Sequence, residues 1–163
     1  MTLRITRIII FASLIFLPAL AFSQTEKTFK TTYSVIHYSE DKDLNDFLWR
    51  IGGKKFEYSE NTTLAKSRVD RIVERVQTIL DMWPKAFNIT IYLRRGNLEE
   101  INNVAYYNSK INSIFISVDN ASDGVFAHEV AHAVIYKYFS RPPSSTAQEI
   151  LTQYVDKYLW SDY

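Results

Sequence analysis

Two of the three histidines in the 163-residue chain, His128 and His132, stand four apart in the stretch FAHEVAHAVI, with Glu129 beside the first. On a helix, residues four apart differ by about 40° in direction, so both imidazoles leave one face, one turn apart. Imidazoles so placed can hold one Zn²⁺ at about 2.0–2.1 Å each. Glu129 falls on the flank of that face. From there its carboxylate reaches a water on the metal without ligating the ion, the position of a general base. The neighbours Phe126, Ala127, Val130, Ala131, Ala133 and Val134 are apolar or small. A polar trio in such a helix needs partners, because unpaired buried polar groups cost several kcal/mol. Main-chain or carboxylate partners would suffice for two ordinary histidines; a metal satisfies the trio more economically.

A catalytic zinc keeps three protein ligands and one open position. His37, the remaining histidine, lies far upstream in a predicted strand and reads as a strand surface position. Glu149 is the better third ligand. It follows His132 by 17 residues, in the first turn of a predicted helix that the Pro142-Pro143 turn folds back on the first. Two antiparallel neighbouring helices would bring its carboxylate to the metal. The stretch Thr146 to Glu149 also fits a capping box, which would bind Glu149 to its own helix end; Ser145 to Gln148 fits the same box and leaves Glu149 available. Asp156, seven residues beyond Glu149 on the same helix face, can accept from the second nitrogen of a liganding histidine, or serve as a solvated acid at a helix end. Tyr136, one turn past His132, has the spacing of an oxyanion donor. Ser122 and Asp123 are placed to cap the helix.

These residues need elements to position them. Thr32 to Ser39 reads as a strand and Glu40 to Ile51 as a helix ended by Gly52-Gly53. The clearest amphipathic helix is Asn61 to Trp83, with Leu64, Val69, Ile72, Val73, Val76 and Ile79 on one stripe. Phe87 to Arg95 alternates as a strand, and Gly96 to Asn103 is a short helix or turn. Residues 104–119 read as a hairpin around Asn108-Ser109-Lys110, and its second strand, within 111–118, reads either as an edge for a substrate peptide adding as a further strand or as an ordinary internal strand. The expected architecture is α+β, a mostly antiparallel sheet packed against the HEVAH helix and a following Glu149-bearing helix.

Composition narrows the class. Arg4 and Arg7, the apolar run Ile8 to Leu17, and small residues at Ala21 and Ser23 have the layout of a signal peptide over 1–23, leaving 24–163 as one domain. An uncleaved leader would be the chain's one membrane contact, since the run is short against the roughly 20 residues of a span. A formal net charge of +1 and no basic cluster exclude nucleic acid as a partner class. An exported chain with no cysteine has no disulfides and relies on its core and a metal. Periplasm or secretion from a bacterial envelope fits this leader.

The HEVAH core followed by QEILTQYVD resembles the gluzincins, zinc metallopeptidases whose third ligand is a glutamate on the next helix, and in particular their small peptidase-MA-like domains. Many carry a pattern of the type N-E-G-x-A-x-Y-x-E. This chain has Glu149 at the ligand, Tyr154 at the tyrosine and Asp156 at the final acid, and departs with Gln148, Ile150 and Thr152. The resemblance implies a zincin-like fold, Zn²⁺ on His128, His132 and Glu149, Glu129 as base, Tyr154 as catalytic tyrosine, and a peptide lying along a sheet edge above the metal. The expected function is an exported zinc-dependent peptidase. The alternative is a zinc-binding scaffold or interaction protein of the same fold, suggested by the fourteen residues after Glu149, too few for a second cleft wall.

Overall fold

The computed structural model describes residues 26–55, 57–96, 98 and 104–161. The leader expected over 1–23, and most of the turn or helix expected over 96–103, lie outside them. Five strands form one sheet: β1 (Lys27–Lys30), β2 (Ser34–Tyr38), β3 (Ile89–Arg94), β4 (Ala105–Asn108) and β5 (Ser113–Ser117). The helices are α1 (Asp41–Gly52), α2 (Thr62–Leu80), α3 (Asp123–Tyr138) and α4 (Ser145–Tyr158), with a 3-10 turn at Val118–Asn120 before α3.

The α+β class is as expected, but the sheet is mixed and not mostly antiparallel. Its order is β1-β2-β3-β5-β4; β2–β3 and β3–β5 pair in parallel, β1–β2 and β4–β5 antiparallel. The cause is the connection. Helices α1 and α2 carry the chain from the end of β2 back to the start of β3, and a strand entered that way runs parallel to its predecessor. The order also moves the edge. β5 is hydrogen-bonded on both sides, so the strand within 111–118 is internal, and among the described residues the edges are β1 and β4. β1 was not foreseen. Only Phe29 of its four residues is buried, so no alternation marks it.

One sheet face is the core wall, made by Ile36, Ile89, Ile91, Leu93, Ile114 and Ile116, none more than 1% exposed. Helix α1 packs on β2 and β3, α3 on β4 and β5, and α2 lies against α1, α3 and α4. The other face carries a row of rings across four strands. His37, Tyr92, Phe115 and Tyr106 follow one another at centroid spacings of 4.8, 5.0 and 4.9 Å, which is the strand spacing itself. α3 is buried nearly all round, Phe126 to Ile135 being closed to solvent except at the polar positions. Ser122 caps it by accepting from the Val125 N–H at 3.1 Å, as its position implies.

Candidate metal centre

His128 and His132 project from α3 toward α4, where Glu149 faces them. The His132 Nε2 to Glu149 Oε1 distance is 3.3 Å, and His128 Nε2 to Glu149 Oε2 is 3.7 Å. One donor atom from each of the three residues lies within 4.8 Å of the others. Both His–Glu149 separations exceed the roughly 2.7–2.9 Å of a charge-assisted hydrogen bond. A tetrahedral ion with ligands at about 2.0–2.2 Å sets neighbouring donors about 3.3–3.6 Å apart. The donor set is of the type that holds a zinc-sized cation; the His132–Glu149 separation falls in that range and the His128–Glu149 separation lies just above it.

Helix caps decide that Glu149 is available. Ser144, one residue before the Ser145 box and two before the Thr146 box, caps α4 by accepting from the Ala147 N–H at 3.3 Å. Glu149, with a side chain 51% exposed, is left to the cluster. Asp156 is two turns on, and its Oδ2 accepts from the Nδ1–H of His128 at 3.0 Å. That bond fixes the tautomer whose Nε2 lone pair faces Glu149 and the cluster. Burial, then the neighbouring His128, lowers the His132 pKa and favours the neutral imidazole that ligates metals. Gln148 was missed in the sequence. Its amide donates to the Pro143 carbonyl at 2.9 Å, and its side chain hydrogen-bonds His132. Adjacency to Glu149 was the only available signal.

Glu129 lies beside the trio and outside it. It is 9% exposed, and burial pushes its carboxyl up to about 7, with Glu149 and Asp156 adding to the rise and His128 opposing it. The main-chain N–H of Tyr107, on edge strand β4, donates to it. Because this contact comes from the backbone, no residue type announces it. Together these groups line a cleft of about 420 Å³ between α3, α4 and β4, with Ala105, Tyr106, Tyr107 and Tyr136 on its walls. Hollows of about 620 Å³ beside Trp49 and 710 Å³ beside Arg68 are larger. Chemistry outweighs size here, since neither holds the histidines.

The remaining expectations divide. Tyr136 reaches the cleft. Tyr154 does not line it; that side chain is 49% exposed on α4, its ring 4.5 Å from that of Tyr158. Five residues past Glu149 on a helix is about 140° round the axis, which turns Tyr154 away. His37 stays on the sheet surface, paired with Glu26 at 3.0 Å. Among the described residues no helix is long and apolar enough to cross a membrane. Compared with protein-family models, with curated proteins and with solved structures, the chain matches none.

Proposed function

We propose that the chain is an exported zinc-dependent peptidase of the gluzincin type, with His128, His132 and Glu149 as ligands and Glu129 as general base. The observation that carries the reading is the division of labour in the cleft: three donors close enough to share one cation, and a fourth group, the Glu129 carboxyl, buried beside them but outside the ligand set. Zn²⁺ held there supplies Lewis acidity toward a water and a scissile carbonyl. Glu129 accepts the proton of the attacking water and delivers it to the leaving amine. Asp156 holds the ring of His128 in register through both transfers.

An extended peptide is the substrate this cleft suits. β4 is a sheet edge beside the cluster, and its residues Ala105 to Asn108 carry no charge. The opposite edge, β1, bears Lys27 and Lys30, the kind of side chain that discourages strand addition. Export to the periplasm or beyond belongs to the same reading and rests on the leader-like sequence of residues 1–23.

Metal analysis after zinc loading, with casein and mixed-peptide cleavage by wild type and Glu129→Gln, tests the proposal. Expected are one zinc per chain in both proteins and cleavage by wild type alone. Failure to load zinc sinks the metal claim, and equal cleavage by the variant sinks the mechanism. The half-exposed Glu149 favours one competing reading, a zinc-stabilised binding protein whose cluster is open to solvent on one side. Zinc that raises the melting temperature without cleavage of any peptide would select it.

A further inference from the structure

We propose that Tyr136 is a catalytic residue of this cleft, donating its phenolic hydrogen bond to the oxygen that gains negative charge when the substrate carbonyl is attacked. This rests on the hydrolase reading. Amide hydrolysis benefits from such a donor besides the metal, because a positioned donor meets the developing charge without reorganising.

Three tyrosines line the cleft, and their surroundings separate them. Tyr107 has committed its hydroxyl, which donates to Asn112 Oδ1 at 3.0 Å. Tyr106 belongs to the ring row on the far face of the sheet, stacked on Phe115. Tyr136 rises from α3 one turn past His132. Helical side chains lean toward the N-terminus, so Tyr136 is directed back along the His132 face, and it lines the cleft with the cluster. It packs edge-on to the Tyr107 ring at 6.2 Å, which steadies it, and it remains 36% exposed. Among the described residues its hydroxyl has no hydrogen-bond partner. A phenol held by its ring, aimed along the ligand face and uncommitted at its oxygen is what an oxyanion donor requires. Tyr154, which the gluzincin pattern would select, lies outside the cleft.

In the step concerned, the attacking water loses a proton to Glu129 as its oxygen bonds to the carbonyl carbon. The carbonyl π pair moves onto oxygen, where the Tyr136 hydrogen bond meets it. As the C–N bond breaks, the pair goes to nitrogen, which takes the proton back from Glu129. The phenol keeps its own proton throughout.

Tyr136→Phe removes the hydroxyl and leaves the ring on Tyr107. With zinc-loaded protein and a peptide that the wild type cleaves, kcat is expected to fall about 10²–10³-fold with KM little changed. A phosphonamidate dipeptide, which mimics the tetrahedral anion, should bind at least ~10-fold more weakly by calorimetry. The amine and carboxylate products of the cleaved peptide should bind as before, and zinc affinity should hold. Tyr136→His, which keeps a ring and a donor, should recover part of both losses. Losses that follow melting temperature instead of the presence of a donor would overturn the assignment. So would unchanged kcat and phosphonamidate binding in Tyr136→Phe, or a larger loss in Tyr154→Phe. A zinc-loaded wild type that neither cleaves peptides nor binds the phosphonamidate refutes the hydrolase reading itself; intact cleavage by Tyr136→Phe refutes only the role of Tyr136.

Discussion

At Glu129 the needs of stability and of chemistry point in opposite directions. A carboxyl closed to water is held protonated by desolvation, and its pKa of about 7 lies well above the ordinary 4.5. Between those values the folded chain binds more protons than the unfolded one, so this residue's contribution to stability is complete below about pH 4.5 and is lost as pH rises toward 7. Glu129→Gln has no such dependence. In metal-free protein, wild type should therefore lose roughly 3 kcal/mol relative to Glu129→Gln between pH 4 and pH 8, read from denaturant melts of the pair. Taking the difference cancels the opposing trend of His132, whose lowered pKa makes stability rise with pH. A difference that stays flat would mean that the carboxyl is not desolvated. Asp156 acts on the metal through His128, and its loss should show in affinity. Asp156→Asn is expected to weaken zinc binding by about 10–100-fold in competition with a chromophoric chelator, with the metal-free melting temperature held.

Among the elements, α4 brings Glu149 and Asp156 to the site on a small share of the core. Of its fourteen residues only Thr152 and Val155 are buried. Its last turn ends without a glycine cap, and Arg75 of α2 takes that place, donating to the carbonyls of Tyr158, Leu159 and Ser161 at 3.0 Å each. Arg75→Ala should cost about 2 kcal/mol and raise amide exchange first in the last turn of α4, near Asp156; exchange that rises uniformly across the chain would argue against a local cap. The helices were the legible part of this architecture. Period 3.6, the Gly52-Gly53 stop and the Pro142-Pro143 turn mark α1 to α4 to within a few residues, and Glu149 and Asp156 follow from that spacing. Strand direction was not legible, because alternation records which face is buried and not which neighbour a strand finds. Hence β5 could be read as an edge, and β1, with one buried residue, not at all. Tyr154 shows the corresponding limit at the site, since a matching pattern carries no statement of which way a departing helix turns its side chains.

For the molecule as a whole, the cluster lies across the packing of α3 on α4. No cysteine is present to staple α4. What holds it among the described residues is its contact with α3 and α2, the Arg75 cap, and the Trp160 indole N–H on Asp123 at 2.7 Å. A cation shared by His128 and His132 on α3 and Glu149 on α4 would be a cross-link formed only in the folded chain, and its binding free energy would then appear as folding stability. With free zinc 100-fold above its Kd the gain is about 2.7 kcal/mol. For a domain of this size that corresponds to a rise in melting temperature on the order of 10 °C. His128→Ala should abolish the rise while leaving the metal-free protein folded, because the histidine side chain is partly exposed and its removal opens no core cavity. Magnesium, which prefers six oxygen ligands, should give no rise at the same concentration. A zinc response that survived His128→Ala would place the ion elsewhere on the chain, and the division between ligands and base in this cleft would lose its meaning.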